Sequence, residues 1–408
     1  MSLYVGSEIN NLSRKCPICD GGVAKKMCHI SYILPKGSPL PEQYDVVCCI
    51  NCGFIYANVD ADQNVYNDYY ANYNMYAEDA ELKKYVNIQE GEGRRFQEKQ
   101  LMLKLIKEVL PYDAAILDVG CGGGEILDIL KKEGYKNICG MDPSAASIEK
   151  LYKKGIEGFV GNIFDAALPT HAAKYDLVIS TAVIEHIYDL HGYLRSINTY
   201  LKDENSYIML DAPAIEKIDQ CIWPLVNHFN HEHINYFSKT SLNNLLRTEG
   251  FTTIADTSYF EVNNEMGIVG LYTKTDCQKP YDLEHDSLTQ EAVKNYLLQY
   301  EDTGIKDKIN DLLELNHNIV IWGVGSFTMQ LLSNYPDLLD RVKYFVDNNS
   351  TKYGEMICDR EVVSPKKLTD EKNIAILICS IKNVDDIRKQ IINMGWEKEN
   401  KVISFENC

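Results

Sequence analysis

The chain has 408 residues, is 45% apolar and 25% charged, and carries a formal net charge of -18. That length gives room for two or three domains, with the composition of a globular protein rather than a disordered or fibrous one. The carboxylate excess repels phosphate backbones, so nucleic acid is a poor partner, and no apolar run reaches the length of a membrane span. The first residues, MSLYVGSEINNLSRK, hold no hydrophobic signal core, which predicts a cytoplasmic location. A small-molecule substrate and a monomer or homodimer are the expectation.

Six of the thirteen cysteines fall within the first 52 residues. Cys16-Pro-Ile-Cys19 and Cys49-Ile-Asn-Cys52 are two C-x-x-C pairs. Each pair turns two thiolates toward one ion, and two pairs complete a tetrahedron, so 1–65 is expected to be a module built on structural zinc. Four thiolates leave no open coordination position, which argues against a catalytic metal. Cys48 is an alternative to Cys49 in register, and Cys28 reads as a small buried residue. Strands are expected at 30–34 and 44–47. A tyrosine-rich stretch follows, with Tyr66, Tyr69, Tyr70, Tyr73 and Tyr76. The spacing favours packing for Tyr69, whereas Tyr73 and Tyr76 are placed to close over a site, which makes Tyr76 a catalytic candidate. Helical periodicity runs over 81–109 and stops at Pro111.

The most informative stretch is 114–143, AAILDVGCGGGEILDILKKEGYKNICGMDP. An apolar run at 115–117 reads as a buried parallel strand. Asp118 leads into Gly120, Gly122, Gly123 and Gly124, a bend tight enough to need glycine. A helix at 125–133 ends at Gly134, and a strand at 137–141 delivers Asp142 to the rim of a sheet. A glycine bend lets backbone approach a ligand, and a carboxylate about 20 residues on is placed to hold a ribose diol. Glu125 occupies the third glycine position of G-x-G-x-x-G, so a dinucleotide pyrophosphate is not required here. The form D-V-G-C-G-G-G resembles motif I of the class I S-adenosylmethionine (SAM) methyltransferases. That resemblance implies SAM as cofactor, with the bend at the methionine part and Asp142 on the ribose hydroxyls.

Ser144 is a suitable N-cap for a helix at 145–154, and a short strand at 158–160 ends at Gly161-Asn162-Ile163-Phe164-Asp165. In the methyltransferase fold the tip of that strand meets adenine, which makes the Asn162 side chain and the Ile163 backbone candidates. A buried strand at 175–180 is followed by Thr181, at the strand end where α/β sheets bind ligands. Next comes Ile184-Glu185-His186-Ile187, a pair that recurs in that family, with His186 expected beside the methyl group. After a strand at 207–210 the stretch Asn227-His228-Phe229-Asn230-His231-Glu232-His233-Ile234-Asn235-Tyr236-Phe237 holds three of the nine histidines. A neutral imidazole is well matched to removing a proton near pH 7. His233, oriented by Glu232 or a neighbour, is the first choice of general base. Asn230, His231 and Tyr236 are candidates to line the substrate. A metal on His228, His231, His233 and Glu232 is the weaker reading. A helix at 239–248 capped by Ser238 and stopped by Gly250, with strands near 252–258 and 268–274, completes a seven-stranded sheet over 66–275.

Linking helices are expected at 276–316. A second α/β unit, 317–408, starts with a strand at 318–321, the turn Gly323-Val324-Gly325-Ser326 and a helix. Asp347 ends the strand at 342–346, and Thr328 stands where a third glycine would fall. Gly323, Gly325, Ser326 and Asp347 are candidates for a nucleotide or sugar-nucleotide site. The fold class is therefore α/β: a small zinc-binding module, a central methyltransferase sheet and a C-terminal Rossmann-like domain. This order resembles the bacterial three-domain deoxysugar C-methyltransferases, which act on nucleotide-linked 4-keto sugars. That resemblance implies proton removal beside the keto group by histidine and tyrosine, within a Tyr-x-Glu-His motif. Glu232 and His233 match it, and Asn230 takes the tyrosine position. O-methylation of a sugar hydroxyl needs only one base and proximity, so both outcomes stay open.

Overall fold

A computed structural model describes residues 4–72, 96–168, 170–221, 225–260, 266–275, 282–301, 304–315, 317–380, 383–398 and 400–405. Tyr73, Tyr76 and most of the helix expected over 81–109 lie outside these residues, and its described part is Phe96–Val109.

Runs of branched apolar residues build the central sheet. Ala115–Val119 pairs in parallel with Asn137–Asp142 on one side and Leu177–Thr181 on the other. The full order is Phe251–Phe260, Met266–Lys274, Tyr207–Ala214, Leu177–Thr181, Ala115–Val119, Asn137–Asp142 and Glu157–Val160. Met266–Lys274 runs antiparallel to both of its neighbours. Alternation along each strand sends Ile116, Leu177, Ile179 and Met209 to one core and Leu117, Val119, Val178 and Leu210 to the other. The helices end where local chemistry says they should. Ser144 accepts the Ser147 N–H at 3.4 Å, Ser238 forms a capping box with Ser241, and Gly134 sits at φ 107° past Glu125–Glu133.

The N-terminal sheet contains an element that sequence reading did not foresee. Its strands run Glu8–Ile9, Ala24–Ser31, Gln43–Cys49, Ile55–Asn58 and then Asn235–Tyr236. The last strand belongs to the histidine stretch, with Asn235 opposite Tyr56 and Tyr236 opposite Ile55. This corrects the expectation that Tyr236 lines the substrate. Its ring is 3% exposed in a core with Tyr44 and Ile55, and its hydroxyl donates to the Tyr44 hydroxyl at 3.3 Å. A strand residue committed to a core face has no surface left for a ligand.

The C-terminal sheet reads Met356–Ile357, Arg360–Val363, Val342–Val346, Asn318–Trp322, Ile374–Ile378 and Lys401–Ser404. All pairings are parallel except that of the edge strand Met356–Ile357. Helices Ser287–Glu301 and Ile305–Glu314 lead into it. The N-terminal sheet is wedged between the two α/β units. One of its faces shares a core with Tyr296, Leu312, Ile319 and Leu331, and the cysteine side shares a core with Leu210 and Phe237 of the central unit. Each large side chain buried there contributes about 1.5–3 kcal/mol. Among the described residues no helix is long and apolar enough to cross a membrane.

Candidate functional site

The two C-x-x-C turns have one geometry. The N–H of Asp20 donates to the Cys16 carbonyl, and the N–H of Gly53 to the Cys49 carbonyl, both at 2.9 Å. The residue after each pair is left-handed, Asp20 at φ 56° and Gly53 at φ 77°. The sulfurs of Cys16 and Cys52 lie 3.6 Å apart, those of Cys19 and Cys49 3.4 Å, and all four fall within 4.8 Å of one another. A tetrahedron of thiolates on bonds of about 2.3 Å has edges of about 3.8 Å, so this donor set fits structural zinc. Strand alternation settles the register that the sequence leaves open. Cys49 joins the cluster, while the Cys48 thiol turns to the opposite core and donates to the Gly53 carbonyl at 3.4 Å.

At the carboxyl edge of the central sheet, Gly120, Gly122 and Gly124 take φ values of 71°, 50° and 66°. A Cβ at Gly120 would meet Val183 at 2.5 Å and one at Gly124 would meet Leu151 at 2.8 Å, whereas one at Gly122 would meet open space. The bend is thus packed from behind and open in front. Asp142 braces it: Oδ2 accepts the Gly122 N–H and Oδ1 the Ser144 N–H, both at 2.8 Å. A carboxylate oxygen has a second lone pair, which is available to a diol. Asp118 is 1% exposed, and its Oδ1 has no hydrogen-bond partner among the described residues. Burial, with Asp142 and Glu98 adding to it, pushes the Asp118 carboxyl well above the usual range. An open bend beside a buried carboxyl with one unpartnered oxygen fits a cationic nucleoside such as SAM, whose ammonium and sulfonium offset that cost. Asn162 sits at the tip of the Glu157–Val160 strand, but its Oδ1 accepts the Phe164 N–H at 3.0 Å. The side-chain oxygen is thus engaged in its own turn, next to the buried Ile163.

Thr181 ends its strand half-buried, and Ala182 beyond it is left-handed at φ 51°. A non-glycine residue held there is strained, and such strain concentrates at functional sites. The chain then makes one turn, Ile184–His186, whose Val183 neighbour packs on Gly120. The histidine pair is thereby set beside the glycine bend. The His186 and His233 rings stand 4.7 Å apart, edge to face. Their ring nitrogens and a Glu185 oxygen lie within 4.8 Å of one another. Glu185 is 1% exposed, with Oε1 3.7 Å from His186 Nε2.

Helix Gln63–Asn72 covers this group. Tyr70 Oη lies 2.7 Å from His186 Nδ1, and the Glu232 carbonyl lies 3.1 Å from the same nitrogen. The Tyr69 hydroxyl donates to Glu232 Oε1 at 2.6 Å and lies 3.4 Å from His231 Nε2. Tyr69 is therefore a hydrogen-bonding member of the site as well as a packing residue, which extends the sequence reading. Burial, then the Glu232 charge, pushes the Tyr70 phenol well above its ordinary value, so it stays a hydroxyl. Burial likewise lowers His231 and keeps it neutral. Asn230 shapes this loop, its Oδ1 accepting the Glu232 and His233 N–H groups at 2.9 and 2.8 Å. His228 is apart from the group, half-buried and edge to face on Tyr296, with its pKa lowered by desolvation to about 4. Tyr70 is the member that sequence reading passed over, and Glu185 and Ala182 stood in the right stretch without an assigned role. Tyr70 had a signal, because it sits next to Tyr69 on a short helix, whereas nothing local marks the burial of Glu185.

The C-terminal unit repeats the bracing of the central one. Gly323 is at φ 105°, and Asp347 accepts the Val324 and Asn349 N–H groups, each at 2.9 Å. Thr328 donates its hydroxyl to the Gly323 carbonyl at 2.6 Å. Gly325 and Ser326 open the helix Ser326–Asn334. Lys352 Nζ donates to the Val324 carbonyl at 2.7 Å and lies 3.6 Å from Asp347 Oδ2. This unit reaches the histidine loop through Gln330, which donates to the Tyr32 hydroxyl at 3.1 Å. The Tyr32 ring packs edge to face on His231 at 5.5 Å.

A sheet with one reversed strand, a glycine bend after its central strand and an aspartate closing the next define the central unit as a class I SAM-dependent methyltransferase domain. Residues 93–256 match the family model described as a methyltransferase domain, and residues 315–403 match the one described as C2185-like, N-terminal. The chain is 31% identical over 91 residues to a ubiquinone biosynthesis O-methyltransferase of Chelativorans sp. (strain BNC1), covering 21% of this chain and 36% of that one. It is 27% identical over 142 residues to N-methyltransferase 4 of Papaver somniferum, covering 31% of this chain and 40% of the relative. The chain thus spans well under half the length of these relatives. Among solved structures, the PH0226 protein of Pyrococcus horikoshii OT3 aligns with a TM-score of 0.38 at 18% identity, over 51% of this chain and 99% of that one.

Proposed function

We propose that the chain transfers a methyl group from SAM to a sugar held as its nucleotide-linked form. The observation that carries this reading is the meeting of Tyr69, Tyr70, His186, Glu232 and His233 in one cluster. His186 stands three residues past Val183, which packs on the glycine bend, and the C-terminal unit reaches the same loop through Tyr32. SAM, when bound, supplies an electrophilic methyl group, so the protein has only to hold the acceptor and take a proton. Asp118, Gly120, Gly122, Gly124 and Asp142 would hold it. His233 is the general base. His186 fixes its approach, and the Tyr70 hydroxyl fixes His186. The lysine beside the second glycine turn suits an anionic phosphate, which supports a nucleotide handle on Gly323, Gly325, Ser326 and Asp347. The same lysine also fills part of that turn. This favours, as a second reading, a C-terminal unit that only scaffolds a methyltransferase of another small metabolite.

Calorimetric titration with S-adenosylhomocysteine tests the cofactor site, and titration with nucleoside diphosphates tests the handle. Turnover is assayed on nucleotide-linked keto sugars and their hydroxyl counterparts. Solvent deuterium entering a sugar carbon marks the C-methyl route, and its absence marks O-methylation. His233→Ala should abolish turnover and leave homocysteine-nucleoside affinity within about twofold. Retained turnover removes His233 as the base.

A further inference from the structure

We infer that Arg14 is a positioning residue, whose buried guanidinium ties the cysteine module to the two backbone segments that carry His186 and His233. The inference rests on the methyltransferase reading for its kinetic consequence, but not for its geometry.

Arg14 stands two residues before Cys16 and is 3% exposed. Its own N–H donates to Asn58 Oδ1 at 2.9 Å, on the rim of the N-terminal sheet. Its guanidinium donates to carbonyl-type oxygens on both histidine segments. Nη2 reaches the carbonyls of Tyr188 at 2.6 Å and Ile187 at 3.3 Å. Nη1 reaches the Ile234 carbonyl at 3.2 Å, and Nη2 also reaches Asn235 Oδ1 at 3.0 Å. Asn235 closes the same knot, donating from Nδ2 to the carbonyls of Ile184 at 3.0 Å and Ile187 at 2.7 Å. His186 lies inside the span 184–187, and His233 directly precedes Ile234. The Ile234 N–H also donates to the Glu185 carbonyl at 2.9 Å. The guanidinium fork thus joins, together with Asn235, the two backbone segments that carry the imidazoles.

Packing alone does not ask for a cation here. The guanidinium lies 4.6 Å from the Tyr188 ring centre and 5.9 Å from that of Tyr56, a slot that an apolar side chain of similar length would also fill. Burying a charge among dipoles is costly, and the planar fork is the one side chain that reaches several carbonyls at once. The cost is matched by a placement task. A misplacement of about 1 Å at a reacting group costs about a hundredfold in rate. Arg14 touches neither substrate nor reacting atoms, so it acts through the histidines.

The test uses the full chain, with Arg14→Met and Arg14→Lys compared with wild type. Arg14→Met should lower kcat about a hundredfold, leaving KM for SAM and the affinity for S-adenosylhomocysteine within about twofold. Ring resonances of His186 and His233 in protein with 15N-labelled histidine should move, while those of His29 and His171, outside the knot, stay put. Arg14→Lys keeps the charge but not the fork and should recover only part of the rate. Wild-type kcat in Arg14→Met, or a loss that tracks the folded fraction with both ring resonances unmoved, overturns the inference. Where Arg14→Met does not fold, Arg14→Lys with unmoved resonances overturns it equally. A wild-type chain that methylates no acceptor sinks the functional reading alone, and the resonances then decide the role of Arg14.

Discussion

Replacing Asp142 with asparagine probes the cofactor site most directly. The carboxylate accepts one backbone N–H on each oxygen, from Gly122 and from Ser144 at 2.8 Å. Asparagine keeps the shape but turns one oxygen into an NH2 donor. In either orientation that donor faces a backbone N–H, so one brace of the bend is lost. A hydrogen bond to a charged group contributes about 1.5–3 kcal/mol. The same oxygens would accept the ribose diol, so binding loses one such bond as well, and every 1.4 kcal/mol is about a factor of ten. Asp142→Asn should weaken S-adenosylhomocysteine binding about 10- to 100-fold, read by isothermal titration calorimetry. A variant that binds as tightly as wild type while its unfolding midpoint falls would show Asp142 to be a strut of the loop only.

Three further outcomes are expected. The purified chain should carry one zinc per molecule by elemental analysis, lost in Cys49→Ser and kept in Cys48→Ser, because only the Cys49 thiol faces the cluster. Burial holds His228 near 4 against an ordinary value of 6.5, so the unfolded chain binds the extra proton between those values. Its contribution to stability, up to about 3 kcal/mol, is present at pH 7 and lost as pH falls from about 6.5 to 4. His228→Phe should flatten that part of the urea-midpoint profile, and an unchanged slope would refute the burial argument. Tyr70→Phe removes the hydroxyl on His186 Nδ1 and should lower kcat about tenfold with S-adenosylhomocysteine affinity unchanged. Equal loss in both quantities would mean that Tyr70 supports the cofactor site instead.

What was legible in the sequence is what local chemistry determines. The glycine bend, the acid twenty residues on, the Ser144 and Ser238 caps and the paired C-x-x-C turns each need only near neighbours, and each stands where the pattern put it. The misplaced residues are those whose role depends on distant partners. Tyr236 looked like part of a polar histidine stretch, yet it pairs with Ile55 and enters a core. Asn162 and Asn230 each engage their side-chain oxygen with a backbone N–H two or three residues on, a local bond that a short amide makes readily. The role of Tyr70 depends on His186, which lies on another element, and the burial of Glu185 depends on packing that no neighbouring residue reveals.

The strand supplied by Asn235–Tyr236 has a consequence for how the chain is made. Ile55–Asn58 emerges from the ribosome long before its neighbour and must wait as an open edge, the kind of surface that recruits other chains. Thiolate pairs that trap an ion early would keep those first strands folded while the middle of the chain is synthesised. Starved of metal, a nascent chain should therefore aggregate during translation, before any question of turnover arises.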